Sequence, residues 1–385
     1  MSMRVLVFVG SRAQLLQHVP VERAVRSFRA WEPRLVLSSE KEYHALWAPL
    51  LEDYGITPCH RLGPAPASLS DAGLLAHILC SASLLMHREA PAAALVYGHS
   101  VTTLAAALAA AEHGIPVVHV GAGQRREDMS CPEARHAELT DRLSSLLCCL
   151  DPADEQYLHA RLMEQGTCVT GDTLYDLFEQ DRPRLRPFEE AERHGAAFGE
   201  CILCYLSRSA LLRSPDGMRS LLEGLQALHV RQHRPILLAQ HPSVLSCFQE
   251  QQIPEGIRIL PPLAHTAFLS LACASAFVVT DSPSLQREAL YAGKRALLLP
   301  PVPSGSAAVQ NGWHIACTSI ADLAAAGDTV LQPCPHPGLP GASGQASRRV
   351  AAAVMAILAD IADGIPQGGG NSCPQGGGNS CPQGE

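Results

Sequence analysis

Four short turns in this chain carry residue types suited to ligand binding or proton transfer: residues 10–14, 98–103, 121–125 and 281–286. Each turn follows an apolar, strand-like stretch and contains small residues, which let a backbone or a ligand approach closely. In a parallel sheet, such turns meet at the carboxyl ends of the strands, where open α/β sheets bind ligands. We therefore expect the four turns to line one ligand crevice.

Two of these turns suit a phosphate group. Arg12 follows the first predicted strand, and a guanidinium at a helix start suits phosphate, although a surface arginine at a helix start is an equal interpretation. The stronger signal is Asp281-Ser282-Pro283-Ser284-Leu285-Gln286-Arg287-Glu288. Its turn offers N–H donors to a diphosphate, and Glu288 can accept hydrogen bonds from ribose hydroxyls. The alternative is an ordinary helix cap, because Asp and Ser are common caps.

Composition limits the class of protein. The 385 residues suit two domains of about 150 to 200 residues each. Apolar residues make up 47% of the chain and aromatic residues only 5%, which favours α/β layers over a β-sandwich. The net charge of −8, without a basic run, argues against nucleic acid and anionic membranes as partners.

The same sequence predicts a cytoplasmic location. No apolar run reaches the roughly 18 to 20 residues that a membrane span needs, and the apolar stretch at the amino terminus is shorter than a signal peptide requires. The cysteines lie in predicted strands and helices rather than in a dense disulfide framework. Cys201 and Cys204 have CxxC spacing without a second pair, so we predict core packing and no metal site.

Apolar strands alternate with amphipathic helices in both halves of the chain, which predicts parallel, doubly wound sheets. We expect an amino-terminal domain over 1–178, a charged and proline-bearing linker over 179–200, and a second domain over 201–345. A helix over 346–364 follows, and 365–385 is a Gly-rich repeat expected to be disordered. Predicted strands cover 4–9, 34–37, 93–97, 117–120, 146–150, 168–170, 201–206, 235–240, 257–260, 276–280 and 296–300.

Six motifs, in order and spacing, resemble those of the non-hydrolysing UDP-N-acetylglucosamine 2-epimerases, over nearly the whole chain up to about Leu358. They are Gly10-Ser-Arg12, Tyr97-Gly-His-Ser-Val-Thr-Thr-Leu104, His119-Val-Gly-Ala-Gly123, Pro132-Glu133, Val169-Thr-Gly-Asp-Thr173, and Thr280-Asp-Ser282 through Gln286-Arg-Glu288-Ala289. The resemblance implies two Rossmann-like domains that face a cleft, the GT-B-type architecture. It also implies a homodimer and a UDP-sugar substrate.

The resemblance assigns roles to individual residues. It implies that Arg12 and the turn from Ser282 to Ser284 hold the phosphates of UDP and that Glu288 holds its ribose. Glu133 falls where the family has a catalytic carboxylate. Gln286 and His241 belong to matching turns, although the family's His-x-Asn-Pro turn here reads Ala239-Gln-His-Pro242, so that the family's His is absent by strict alignment. The implied substrate-binding set is Arg12, His241, Ser282, Ser284, Gln286 and Glu288.

The family's reaction removes the proton at C2 of the sugar, expels UDP to leave a 2-acetamidoglucal, and adds UDP back with C2 inverted. This chemistry needs an acid/base pair on opposite faces of the ring and a cation for the leaving diphosphate. It implies no metal and no redox cofactor.

This chain departs from the family at three acid/base positions. His99 replaces Asp in the family's Gly-Asp-Thr-Thr motif, Gly121 replaces Glu in His-Val-Glu-Ala-Gly, and Ser207-Arg208 replaces a His-Arg pair. The Thr-Glu-Arg-Pro turn is also absent, replaced by residues 299–304. Because losing one such group costs about 10² to 10⁴ in rate, we expect the family's mechanism not to run unchanged.

Other residues of the same region can compensate for these losses. His99 can act as a general base near neutral pH, although a hydrogen-bonded histidine at a strand end is an equal interpretation. For His119 we prefer the hydrogen-bonded role. The predicted catalytic set is Glu133, His99, Glu127 and His136, since Glu127 and His136 lie near Glu133 in sequence.

Three functions agree with this pattern. The leading interpretation is an epimerase acting on UDP-N-acetylglucosamine or a close relative. A glycosyltransferase of the same architecture would keep the nucleotide half of the site and discard the acid/base pair. A non-catalytic UDP-sugar-binding paralogue would bind UDP without turnover.

Overall fold

Two parallel β-sheets form the protein, which we analysed as a computed structural model. The structure describes residues 3–28, 31–38, 44–63, 65–66, 68–124, 131–163, 166–206, 215–240, 252–300, 307–339 and 341–363. The expected α/β class with two doubly wound domains is confirmed.

The first sheet has seven parallel strands in the order β3-β2-β1-β4-β5-β6-β7. Central strand β1 pairs with β2 and β4, so that Val7 lies beside Leu35 and Leu95. Its inner strands are mostly apolar because helices cover both faces of the sheet. The strands are β1 (Arg4–Val9), β2 (Glu32–Leu37), β3 (His60–Arg61), β4 (Ala93–Tyr97), β5 (Val117–Ala122), β6 (Leu146–Cys149) and β7 (Thr167–Val169).

Six helices connect these strands, and their starts follow capping rules. Ser100 caps α4 in a reciprocal arrangement with Thr103, and Pro132 occupies the first turn of α5. The helices are α1 (Arg12–Phe28), α2 (His44–Tyr54), α3 (Asp71–Glu89), α4 (Val101–Glu112), α5 (Pro132–Leu143) and α6 (Pro152–His159).

The passage between the sheets is helical. Helix α7 (Thr173–Asp181) runs into a 3₁₀ turn (Arg182–Arg184), and α8 (Pro187–Arg193) follows. Pro183 and Pro187 stand in the first turns of these helices, where proline is tolerated because its missing N–H would have no partner there. The proline-bearing stretch thus forms short helices.

The second sheet has six parallel strands in the order β10-β9-β8-β11-β12-β13. They are β8 (Ile202–Leu206), β9 (Ile236–Gln240), β10 (Ile257–Leu260), β11 (Phe277–Thr280), β12 (Ala296–Leu298) and β13 (Ile315–Ala316). Around them lie α9 (Pro215–Gln232), α10 (His265–Ala274), α11 (Pro283–Tyr291), α12 (Ala307–Gln310), a second 3₁₀ turn (Ile320–Asp322) and α13 (Leu323–Val330).

The last helix, α14 (Ala346–Ala362), belongs to the first core. Val350, Val354 and Leu358 are buried together with residues of α1 and the first sheet. The chain therefore returns from the second domain to close the core of the first. The Gly-rich repeat over 365–385, which we expect to be disordered, lies outside the described part of the chain.

The cysteines pack as core residues. Cys201 and Cys204 are buried on opposite faces of the second sheet, and Cys148 and Cys149 lie in different clusters of the first. Among the described residues, no three potential ligands lie close enough to hold a metal ion. Within the same residues, every helix is too short or too polar to cross a bilayer.

Candidate active site

Gln14 connects the two turns that follow β1 and β4. Its side-chain oxygen accepts from the backbone N–H of Gly10 at 2.7 Å. Its amide nitrogen donates to the carbonyl of Tyr97 at 2.6 Å and to the hydroxyl of Thr103 at 2.9 Å. These contacts fix the turn of Arg12 against the turn of His99.

His119 holds the next pair of turns. Its Nε2 lies 2.7 Å from the carbonyl oxygen of Gly98, and its Nδ1 lies 2.7 Å from a carboxylate oxygen of Asp141. The other oxygen of Asp141 accepts from the N–H of Gly123 at 3.2 Å. His119 is therefore a buried, hydrogen-bonded histidine at a strand end, as the sequence predicted.

Gly121 lies at a bulge between β5 and β6. Its φ of +86° is in the left-handed region, which favours glycine. A Cβ there would meet the side-chain nitrogen of Gln124 at 3.3 Å and only ordinary contacts besides. The position thus has room for a side chain, but this chain offers no acid or base at it.

Three of the four predicted acid/base residues lie together. His99 follows β4, while Glu133 and His136 lie in the first two turns of α5. His136 is hydrogen-bonded to the backbone of His99, and Glu133 is close enough to raise its pKa. Burial outweighs Glu133 and lowers the pKa of His136 overall, so its imidazole is neutral at pH 7. The Cys131 thiol donates to Glu133 at 2.6 Å.

Glu127 and His241 lie outside the described residues, as does the Ser207-Arg208 pair. The acid/base cluster described here is therefore His99, Glu133 and His136.

The turn after β11 opens α11. Ser282 caps this helix: its hydroxyl accepts from the N–H of Leu285 at 3.5 Å and lies 3.0 Å from the hydroxyl of Ser284. Both serines are buried, and Ser282 donates its own N–H to Thr280. The backbone carbonyl of Gln286 contacts the buried ring of His314 at 3.0 Å. The helix cap that the sequence predicts is thus present at Ser282, and the turn predicted to bind an anion consists of the same residues.

Arg12, His265 and Glu288 form a chain between the two domains. The Nη2 of Arg12 lies 2.7 Å from Nδ1 of His265, and Nε2 of His265 lies 3.3 Å from a carboxylate oxygen of Glu288. The Arg12 guanidinium also lies 5.5 Å from the ring centre of Phe268. His265 and Glu288 are each 1% exposed. The contact between Nε2 of His265 and Glu288 lacks hydrogen-bond geometry, so neither carboxylate oxygen of Glu288 has a hydrogen-bond partner among the described residues.

Burial sets the charge states in this chain. Desolvation raises the pKa of Glu288 to about 7, although Arg12 and Arg287 oppose the rise. Burial, Arg12 and Arg184 together hold the pKa of His265 well below its ordinary value. Because a guanidinium can only donate, Nδ1 of His265 accepts, and the ring proton lies on Nε2, facing Glu288.

A second interdomain contact lies beside Glu288. Asp172 caps α7 through the N–H of Leu174 at 2.9 Å, and its other oxygen accepts from Arg287 at 2.7 Å and from the hydroxyl of Tyr291. Asp172 precedes α7 of the first domain, and Arg287 lies on α11 of the second. This ion pair holds Glu288 at the boundary of the domains.

Sequence reasoning missed His265 and the Asp172–Arg287 pair as parts of the site region. His265 has no ligand spacing in sequence, and its partner Arg12 lies 253 residues away. Arg287 and Asp172 each lie inside a motif identified in the sequence. Their opposite charges were the signal from which an ion pair between the two motifs could have been predicted.

Two facing α/β domains, with the carboxyl ends of their strands turned to a common cleft, define the GT-B-type architecture. The family described as UDP-N-acetylglucosamine 2-epimerase matches residues 27–355. The chain belongs to this family, as the resemblance implied.

Two relatives are identical to this chain at about a quarter of the aligned positions. The UDP-2,3-diacetamido-2,3-dideoxy-D-glucuronate 2-epimerase of Pseudomonas aeruginosa is 26% identical over 303 residues, which cover 76% of this chain and 82% of the relative. The UDP-N-acetylglucosamine 2-epimerase of Methanocaldococcus jannaschii is 24% identical over 74% of this chain and 81% of its own length.

Solved structures share the fold. The UDP-GlcNAc 2-epimerase of Methanocaldococcus jannaschii, in complex with UDP-GlcNAc and UDP, superposes with a TM-score of 0.83 at 21% identity. The match covers 92% of this chain and all of that one. The UDP-N-acetylglucosamine 2-epimerase from Rickettsia bellii gives a TM-score of 0.80 over 95% of this chain and 98% of its own, at 19% identity.

Proposed function

We propose that this protein is a sugar-nucleotide epimerase that interconverts UDP-N-acetylglucosamine and UDP-N-acetylmannosamine, or close relatives of these sugars. The reaction proceeds by elimination and re-addition of UDP. Family membership supports this proposal, and the named relatives are 2-epimerases of UDP-sugars. The glycosyltransferase and binding-paralogue interpretations have no comparable support.

The observation that carries the proposal is the buried carboxylate of Glu288. Both of its oxygens lack hydrogen-bond partners among the described residues, and a buried carboxylate in this state is costly unless a ligand supplies donors. Two neighbouring ribose hydroxyls are donors of the right number and spacing. Arg12 and the N–H groups at the start of α11 supply positive potential for the diphosphate.

The acid/base work falls to the cluster of His99, Glu133 and His136. We assign His99 the role of general base at C2, since an imidazole accepts a proton near neutral pH. Glu133 acts on the opposite face of the ring: its carboxylic acid form gives a proton to C2 as UDP adds back, and its carboxylate removes the C2 proton in the reverse direction. The neutral His136 orients Glu133. Glu127 is a further candidate from the neighbouring sequence.

We also assign the nucleotide contacts to individual residues. Arg12, Ser282 and Ser284 bind the diphosphate and Glu288 binds the ribose, while Gln286 and His241 complete the substrate-binding set. Expulsion of UDP places negative charge on the diphosphate, which Arg12 stabilises in the transition state.

We also propose a cytoplasmic homodimer. The free state of all cysteines in the described part of the chain is consistent with a reducing compartment. Size measurements in solution decide the dimer.

The test is proton exchange at C2. The purified protein is incubated with UDP-N-acetylglucosamine in D₂O, and the C2 proton is followed by NMR. We expect loss of the C2 signal together with signals of a manno product. An unchanged spectrum alongside clear UDP binding would support a transferase or a binding paralogue. UDP release only on addition of an acceptor would favour the transferase.

A further inference from the structure

His265 contacts the proposed phosphate-binding and ribose-binding residues through the two nitrogens of one ring. It begins α10, is 1% exposed, and lies 2.7 Å from Arg12 through Nδ1 and 3.3 Å from Glu288 through Nε2. Arg12 belongs to the first domain and Glu288 to the second. One imidazole thus spans the boundary at the place where the nucleotide is proposed to bind.

We propose that His265 is a positioning residue that sets Arg12 for the diphosphate and Glu288 for the ribose, so that the two half-sites act together. This inference rests on the proposed function. His265 need not touch the nucleotide, because it acts through the two side chains that do.

A neutral imidazole suits this role. A carboxylate in the place of His265 would orient Arg12 but would also neutralise its charge. His265 orients the guanidinium with an uncharged acceptor and occupies one of its five N–H donors, so the positive charge stays available to a diphosphate.

The ring itself is held in place from the first domain. The ring of Tyr54 lies 6.2 Å from that of His265 at a tilt of 55°, and the Tyr54 hydroxyl donates to Asp181 at 2.6 Å. Asp181 ends α7, where the chain leaves the first domain. The position of His265 is therefore tied to the interdomain connection as well as to the ligand-facing residues.

Two substitutions separate the two contacts. The amide of asparagine lies near the position of Nδ1, so His265→Asn keeps an acceptor for Arg12 and loses the group that faces Glu288. The amide of glutamine reaches the position of Nε2, so His265→Gln keeps the donor toward Glu288 and loses the acceptor for Arg12.

The experiment measures the Kd of UDP and of uridine by calorimetry for the full chain and both variants. Uridine lacks phosphates and reports the ribose side alone. For His265→Gln, we expect the Kd of UDP to rise about tenfold and that of uridine to change less than about twofold, since one hydrogen bond to a charged group is lost. For His265→Asn, we expect both Kd values to rise about threefold, with their ratio unchanged.

A second measurement uses the Arg12→Ala background. If His265 acts on UDP through Arg12, adding His265→Gln to Arg12→Ala changes the Kd of UDP by less than about twofold. A further tenfold loss in that background overturns the inference. If His265→Gln does not fold, His265→Asn is added to Glu288→Gln instead, and a further threefold rise in the Kd of uridine in that background overturns the inference.

The remaining outcomes are distinct. If the two variants weaken UDP and uridine in parallel and to the same extent, His265 is only a packing residue and the inference is wrong. If the wild-type protein binds neither UDP nor uridine, the proposed function is itself wrong. If the wild-type protein binds both and the variants differ as stated, the inference about His265 stands, and proton exchange at C2 decides the proposed function.

Discussion

The proposed nucleotide side and the proposed acid/base side of the cleft are built in different ways. Arg12, His265 and Glu288 come from both domains, and the latter two are almost fully buried. His99, Glu133 and His136 come from neighbouring elements of one domain and are half-buried. The nucleotide side therefore depends on how the two domains meet, whereas the acid/base cluster depends on local structure.

The two sides also differ in how they relate to the family. The nucleotide side retains Arg12, Ser282 and Glu288 of the matching motifs. On the acid/base side, His99 and Gly121 replace carboxylates of the family pattern. A site that keeps its binding groups while its proton-transfer groups change should show binding and chemistry that respond separately to mutation.

The largest expected effect is on chemistry. Glu133→Gln should lower the rate of C2 epimerisation by about 10² to 10⁴, because it removes an acid/base group, and should leave the Kd of UDP within about twofold. Enzyme kinetics and calorimetry measure the two quantities. The matched control is Glu138→Gln on the same helix, where Glu138 pairs with Arg142 and Arg161 away from the cluster. Joint loss of UDP binding in Glu133→Gln would show that the two sides are not separable.

On the nucleotide side, Arg12→Ala should raise the Kd of UDP about 10²-fold and that of uridine less than about threefold. Arg12→Lys keeps the charge but not the planar fork, so an intermediate loss of about tenfold is expected. Arg26→Ala, on the exposed side of the same helix, is the control. Equal effects on UDP and uridine would contradict a phosphate-binding role.

A smaller effect should appear with pH. The pKa of Glu288 is raised to about 7 by burial, and ionised Glu288 accepts ribose hydroxyls more strongly than its protonated form. The affinity for uridine should therefore rise up to about tenfold from pH 6 to pH 8. Glu288→Gln should remove this dependence, and a pH-independent wild-type Kd would contradict the assignment. Because the pKa of Glu288 is raised from 4.5 to about 7 in the folded state, the folded state favours the protonated form. The free energy of unfolding should therefore fall as the pH rises from about 4.5 through about 7.

The smallest effect concerns Gly121. Gly121→Ala should lower the free energy of unfolding by roughly 1 to 2 kcal/mol, because a left-handed φ strains any side chain there. Gly114→Ala has a φ of +66° and open space, and should cost about the same. Chemical denaturation compares the two. A loss above about 4 kcal/mol at Gly121 would mean that backbone packing, and not the φ angle, excludes a side chain.

The sequence predicts the sheets well because their strands are long apolar runs that end in small-residue turns. Strands 4–9, 93–97 and 257–260 have their predicted bounds. The two-residue edge strands β3 and β13 have too few apolar residues to give a pattern. The predicted linker over 179–200 contains the end of α7, a 3₁₀ turn and all of α8. Its prolines lie in first turns, where a helix tolerates them, although in sequence they look like helix breakers.

The site is predictable only where its residues lie in motifs. Arg12, Ser282 and Glu288 are in such motifs. In the structure, His265 lies between Arg12 and Glu288 and contacts both. His265 carries no signal in sequence because its role comes from contact across the domains. The strand-end role of His119 was predictable, since a buried histidine needs hydrogen-bond partners.

The most direct test of separable binding and chemistry is C2 proton exchange in His99→Asn. The full chain and the variant are incubated with UDP-N-acetylglucosamine in D₂O, and the Kd of UDP is measured for both. We expect exchange in the wild-type protein, its loss in His99→Asn, and equal Kd values. Exchange that persists in His99→Asn, or is lost together with UDP binding, would contradict this account.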